Sequence, residues 1–286
     1  MTISGGQKTR PGVGVTRVGA RGWDMREFAA AGGTRFYAAV QGPDSAPPVV
    51  CVHGAAMSHR YFRPLARVLA PHAQAVAVDL PGFGLTRGPT QALDTRGLST
   101  ALADWLHATG RGRAVMVGQS TGCQVLIDMA VHSPDLLGPM VLIAPTVDEH
   151  WRSWSQQALR NPLHWPMEKP GLPLVLLRDY LDCGPRRMIA SVRDFLHDPV
   201  ERKAPLVDTT AVVVRGRLDP VTGHEWARRL AGLLPHGQLE EVPLASHTVQ
   251  WTRPRAVAQI ILDLLPEAGE RPAEQPAASA AAPQFS

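Results

Sequence analysis

Gly118-Gln119-Ser120-Thr121-Gly122 sets a serine between two glycines. Before it, Ala114-Val115-Met116-Val117 reads as a short buried strand. After it, Gln124 to Val131 reads as a helix with Val125, Leu126 and Met129 as its apolar side. Strand, tight turn and helix, with serine at the apex, is the context that holds a hydroxyl out as a nucleophile. Glycine suits both flanks, because a Cβ at 118 or 122 would meet neighbouring backbone.

A serine hydroxyl is a weak nucleophile near neutral pH. It needs a base within hydrogen-bond reach, and the base needs a group that fixes its tautomer. Of eleven histidines, His247 stands apart. It follows the apolar run Leu239–Val242 after the short loop Pro243-Leu244-Ala245-Ser246 and precedes the last helix. For the acid, Ala211-Val212-Val213-Val214 reads as a buried strand running into Arg215-Gly216-Arg217-Leu218-Asp219-Pro220. Asp219 therefore stands in a turn at a strand end. His53 and His59 have no cysteine or carboxylate set beside them, so neither a metal nor another cofactor is expected.

The elements that must position these residues are legible from periodicity. Strands are expected at Met25–Ala30, Arg35–Val40, Val49–Val52, Ala75–Val78, Ala114–Val117, Met140–Ile143, Ala211–Val214 and Leu239–Val242. Helices are expected at Arg60–Leu69, Thr95–Ala108, Cys123–His132, Gly223–Leu234 and Pro254–Leu265. The middle and later strands are continuously apolar, as in a parallel sheet covered on both faces. The expected fold is α/β: a mostly parallel sheet of about eight strands between helices. Residues 146–209 interrupt the alternation with an insert rich in tryptophan, leucine and proline. It reads as a helical cap over the carboxyl edge of the sheet, where open α/β sheets bind ligands. The core would then be residues 23–145 and 210–266. Residues 1–22 read as a loose arm, and residues 267–286, mostly Ala, Pro and Glu, as a disordered tail.

Composition narrows the function classes. The chain has 286 residues, a formal charge of +4 and 44% hydrophobic residues, as in globular proteins. Its 26 arginines and 3 lysines are scattered, without the clustered patch of a nucleic-acid binder. Three widely spaced cysteines, Cys51, Cys123 and Cys183, argue against a disulfide framework. The first ten residues lack the apolar run of about 7–15 residues that marks a secretory leader. No stretch approaches the ~20 apolar residues that span a bilayer. A cytoplasmic setting is expected.

With these motifs in view, the chain resembles a capped α/β-hydrolase over roughly residues 25–265. Besides the serine turn, Val52-His53-Gly54-Ala55-Ala56 is similar to the family's H-G-x loop. Asp79-Leu80-Pro81-Gly82-Phe83-Gly84-Leu85-Thr86 resembles its D-x-P-G-x-G-x-S/T segment. Gly216–Pro220 and Ser246-His247 resemble its acid and histidine loops. Two positions depart from the pattern: Ser246 replaces the usual glycine, and Gln119 a frequent histidine. The order Ser120, Asp219, His247 is that of the family's triad. The resemblance implies Ser120 as nucleophile, His247 as base and Asp219 as acid. It also implies an oxyanion hole from the backbone N–H groups of Ala55 and Thr121. Asp148 remains an alternative acid, since some relatives place it after the strand that follows the nucleophile.

The expected activity is hydrolysis of a carboxylic ester of a small to medium apolar acid through an acyl-enzyme on Ser120. Trp151 and Trp154 of the cap, and Trp251, are candidate pocket residues; Trp251 also reads as core packing. Gln250-Trp251 resembles a feature of the carbon–carbon-bond hydrolases of the same fold, which keeps that activity open beside thioesterase, lactonase and natural-product cyclase. A ligand receptor that retains the triad but turns over slowly is the alternative of another class. Oligomeric state is not written in the sequence.

Overall fold

The computed structural model of the protein describes residues 14–20, 22–148, 151–153, 155, 168 and 170–268. Nine strands form one sheet: β1 (Thr16–Ala20), β2 (Trp23–Ala31), β3 (Thr34–Gln41), β4 (Pro48–Val52), β5 (Gln74–Asp79), β6 (Val115–Gln119), β7 (Met140–Ile143), β8 (Ala211–Gly216) and β9 (Gly237–Val242). Their order across the sheet is β1-β2-β3-β5-β4-β6-β7-β8-β9. β1 to β3 form an antiparallel margin, and β3 joins β5 antiparallel. From β5 through β4 to β9 every pairing is parallel.

The described helices are α1 (Arg63–Leu69), α2 (Thr95–Thr109), α3 (Thr121–His132), α4 (Leu172–Cys183), α5 (Pro185–His197), α6 (Val200–Lys203), α7 (His224–Leu233), α8 (Val249–Thr252) and α9 (Pro254–Asp263). The apolar runs of the central strands serve both faces of the sheet, because successive side chains point to opposite sides. Val50, Val52, Met116 and Val213 pack on the face covered by Leu102 of α2 and Leu126 of α3. Their neighbours Val49, Cys51, Val117 and Val214 pack on the other face, beneath Leu65 of α1 and Ile261 of α9.

Three differences from the sequence expectation have physical reasons. First, the arm is not loose as far as residue 22. Thr16–Ala20 pairs with β2, and Arg17 reaches Glu27 at 3.0 Å and Asp44 at 2.6 Å. Glu27 is buried and also takes both terminal nitrogens of Arg111, at 2.5 and 2.7 Å. An edge strand held by such long-range ion pairs leaves little periodic signal. Second, the serine helix starts at Thr121, two residues before the expected Cys123. Third, α4 and α5 each begin with proline in the first turn, where its missing N–H costs nothing. The prolines of the insert thus start helices as well as break them. Residues 1–13 of the expected arm, 269–286 of the expected tail and 156–167 of the insert lie outside the described residues.

The chain enters the sheet's middle at β4, steps one way to β5, then returns to the other side as β6. The carboxyl ends of β4 and β6 therefore flank the point where the winding reverses, the place where open α/β sheets bind ligands.

Candidate active site

Ser120 sits between β6 and α3 with φ 53° and ψ −121°, a conformation that a non-glycine residue adopts only when its surroundings force it. Close packing forces it here. A Cβ on Gly118 would lie 2.9 Å from the Cys123 nitrogen, and one on Gly122 would lie 2.8 Å from the His53 carbonyl oxygen. The glycines let α3 start directly against β6 and β4. The Ser120 N–H donates to the Ile143 carbonyl oxygen at 2.8 Å, which ties the turn to the end of β7.

The loop after β4 is fixed by His53. The Leu80 N–H donates to His53 Nε2 at 3.0 Å, so the ring proton is on Nδ1, which donates to the Gly54 carbonyl oxygen at 2.8 Å. Burial depresses the His53 pKa, consistent with a neutral ring. Asp79 anchors the next motif. It accepts from the His59 N–H at 2.6 Å, from His59 Nδ1 at 2.9 Å and from the Leu85 N–H at 2.8 Å. Gly84 has φ +54°, and its added Cβ would meet Asp79 Oδ1 at 2.7 Å. Thr86 closes the motif by accepting from the Tyr37 N–H at 2.8 Å.

Asp219 and His247 come together from the ends of β8 and β9. His247 Nδ1 donates to Asp219 Oδ2 at 3.0 Å. The other oxygen, Oδ1, accepts from the backbone N–H of Val221 at 2.7 Å and of Thr222 at 3.1 Å. Gly216 allows the approach: a Cβ there would lie 2.6 Å from the Ala245 carbonyl carbon. Burial raises the Asp219 pKa, but His247 and the two N–H groups outweigh it and hold the carboxyl below its usual value. Burial lowers the His247 pKa, but Asp219, and then Glu168, hold the imidazolium above its usual value.

Ser120 and His247 line one cavity of about 210 Å³ at the carboxyl edge of the sheet. Gly54, Ala55, Gln119, Thr121 and Thr146 form its polar floor, while Leu176 and Tyr180 of α4 and Phe195 and Leu196 of α5 roof it. The helices are tied to the floor through Asp179 of α4. That buried carboxylate accepts from the Ser58 hydroxyl at 2.8 and 2.9 Å and from Arg60 Nη1 at 2.5 Å.

Of the candidate pocket residues, Trp151 and Trp251 are not among those lining this cavity. Trp251 packs beside Met57, Tyr61, Leu172 and Leu176, behind the wall. An aromatic body at the start of a helix can fill core as well as face a ligand, and Trp251 is partly buried against this small apolar cluster. Trp154 lies outside the described residues. Asp148, the alternative acid, is half-buried on the stretch after β7, and the carboxylate of Asp219 accepts from His247 Nδ1.

Three residues were missed from sequence. Thr146 Oγ1 lies 3.2 Å from Ser120 Oγ. Its place just past β7, at the functional edge of the sheet, was the available signal. Glu168 accepts from the Thr248 hydroxyl, beside His247, and burial raises its pKa. Nothing local marks it, since an insert of more than 60 residues delivers it. The buried Tyr61 also lines the cavity, as does Gln119, which the sequence marked by its departure from the family's histidine.

The sequence profile of the alpha/beta hydrolase family matches residues 49–260. A curated relative, the uncharacterized hydrolase YugF of Bacillus subtilis (strain 168), is 24% identical over 84% of this chain and 97% of its own length. A pimeloyl-[acyl-carrier protein] methyl ester esterase of Nitrosospira multiformis is 29% identical over 40% of this chain and 45% of its own. Among solved structures, a thermophilic esterase from Thermogutta terrifontis superposes with a TM-score of 0.71 at 18% identity, covering 84% of this chain and 98% of that one. The enol-lactonase from Burkholderia xenovorans LB400 gives 0.69 at 20% identity, covering 84% and 100%. A meta-cleavage product hydrolase from Pseudomonas fluorescens IP01 gives 0.66 at 18% identity, covering 84% and 97%. At these identities the structural likeness establishes the fold.

Proposed function

The chain belongs to the α/β-hydrolase family, and on that premise we propose that it is a serine hydrolase cleaving a carboxylic ester of a small to medium apolar acid. The observation that carries this reading is the 3.0 Å His247–Asp219 hydrogen bond at the wall of the cavity that Ser120 lines. Residues 23–145 and 210–266 are the core in this reading, and 146–209 the cap.

The mechanism follows from the tautomer. Asp219 holds the proton on Nδ1, which leaves Nε2 as the base. Ser120 Oγ bonds to the ester carbonyl carbon while its proton passes to His247 Nε2. The carbonyl π pair moves onto oxygen, at the floor formed by Ala55 and Thr121. The imidazolium then protonates the leaving alkoxide as the C–O bond breaks. Water, deprotonated by the same nitrogen, attacks the acyl-enzyme and releases the acid.

The cavity supports the substrate class. At about 210 Å³ it falls below the ~300–1,000 Å³ of sites for drug-sized ligands. No Lys, Arg, Asp or Glu is among the described residues lining it, so a neutral acyl group suits it better than a dicarboxylate. Curated and structural relatives include enzymes named as ester hydrolases. Among the described residues no helix is long and apolar enough to cross a membrane, and all three cysteines are free and buried. Those thiols support a reducing, cytoplasmic setting.

The reading is tested by ranking steady-state kcat/KM on p-nitrophenyl esters from acetate to dodecanoate against an enol lactone and a vinylogous β-diketone. A short or medium acyl optimum that exceeds both others is expected. Faster cleavage of the diketone would replace the ester with a carbon–carbon bond, and tight binding without turnover would favour a receptor.

A further inference from the structure

The Ala55 N–H is already engaged. It donates to Thr121 Oγ1 at 2.6 Å, across 66 residues of sequence, at the floor of the cavity beside Ser120. An oxyanion hole made of the Ala55 and Thr121 backbone N–H groups alone would require that hydrogen bond to break in every catalytic cycle.

A threonine hydroxyl has two acceptor lone pairs and one proton to donate. Here a lone pair takes the Ala55 N–H, so the proton is left to point elsewhere. Thr121 lines the cavity, and among the described residues its hydroxyl donates no hydrogen bond. As the first residue of α3, Thr121 also has a backbone N–H without an acceptor inside its own helix, and the helix's positive end lies there. Two donors on one residue, the N–H and the Oγ–H, therefore stand next to the nucleophile. Ala55 lies behind the second of them. A hydroxyl that accepts a hydrogen bond becomes a better donor, because the chain polarises.

We propose that the Thr121 hydroxyl is a catalytic oxyanion donor, through which the Ala55 N–H acts at second hand. The substrate carbonyl oxygen accepts from the Thr121 N–H and the Thr121 Oγ–H as Ser120 adds to the carbon. The Ala55–Thr121 hydrogen bond is kept, not broken, when substrate binds. This proposal rests on the assignment of Ser120 as nucleophile. It gives Thr121 a side-chain duty that the motif, which leaves this position open, does not carry.

The test is a Thr121 series on the best p-nitrophenyl ester, with Ser120→Ala beside it and thermal unfolding of each variant as the check on folding. Thr121→Val keeps the shape and the backbone N–H but removes the hydroxyl. Its kcat is expected to fall by about 10²-fold, the scale of one lost oxyanion donor, with KM within a few-fold. Thr121→Ala should fall below wild type as well, and Thr121→Ser should stay within a few-fold of it. Affinity for a trifluoromethyl ketone, whose adduct with the serine carries the oxyanion, should drop with kcat/KM across the series. Wild-type or faster turnover in Thr121→Ala or Thr121→Val would overturn the proposal and make the hydroxyl a displaceable occupant of the hole. Unchanged ketone affinity in slow variants would overturn it too. Turnover that survives Ser120→Ala would instead sink the nucleophile assignment itself, so the two failures are distinguishable.

Discussion

Asp219 binds His247 with one carboxylate oxygen and the backbone of its own turn with the other: Oδ2 accepts from Nδ1 at 3.0 Å, and Oδ1 takes the Val221 and Thr222 N–H groups. The carboxylate cannot rotate without losing one set of partners. The imidazole is thereby held in the tautomer that leaves Nε2 as the base. Asp219→Asn would keep the shape but offer an amide in place of the second acceptor. Its kcat should fall by about 10³–10⁴-fold with KM little changed. Steady-state kinetics on the best ester checks this, and a loss under tenfold would remove Asp219 from the mechanism.

The pH dependence follows from the same pair. Only neutral His247 can take the serine proton, so kcat/KM should fall as pH drops through the histidine's folded pKa. Asp219 and Glu168 lift that value above 6.5. Glu168→Gln removes one of the two attractions and should move the midpoint of the profile down. An upward or absent shift would show that Glu168 does not act on His247. The stability consequence has the opposite sense for the two groups. The His247 contribution is complete below 6.5 and is lost as pH rises through its raised value. The Asp219 contribution is complete above 3.8 and is lost as pH falls through its depressed value. Denaturant unfolding should therefore show the pair at full strength between these limits.

Arg60 lies 2.5 Å from Asp179 and 2.9 Å from Asp182, so it joins the loop after β4 to the helix that roofs the cavity. Arg60→Ala would leave the buried Asp179 carboxylate with Ser58 alone, at a cost of about 3 kcal/mol. KM should rise more than kcat falls, because α4 brings Leu176 and Tyr180 to the cavity wall. Adding Asp179→Asn should recover part of the stability, since a neutral amide is less costly to bury than an unpaired charge. A melting temperature and KM equal to wild type in Arg60→Ala would contradict this latch.

The core was legible because its strands are buried on both faces and leave continuous apolar runs. Met140–Ile143 coincides with its expected bounds, and the other seven expected strands differ by no more than two residues at either end. The candidate site residues could be placed for a related reason: Ser120, Asp219 and His247 each stand just past a strand. What the sequence hid is tertiary. β1 is held by Arg17, whose partners lie 10 and 27 residues away. Glu168 reaches Thr248 across 80 residues, and Thr121 meets Ala55 across 66. The tryptophans stayed open because a large apolar ring satisfies core and pocket equally, and only packing decides. Trp251 settled against Leu172 and Tyr61.

Hydrolysis of the preferred p-nitrophenyl ester by wild type and by Ser120→Ala, at matched concentration and equal folded fraction, tests the central claim most directly. Loss of at least about 10⁴-fold in kcat, with substrate binding retained, is the predicted result. Turnover within tenfold of wild type in Ser120→Ala would contradict an acyl-enzyme on Ser120.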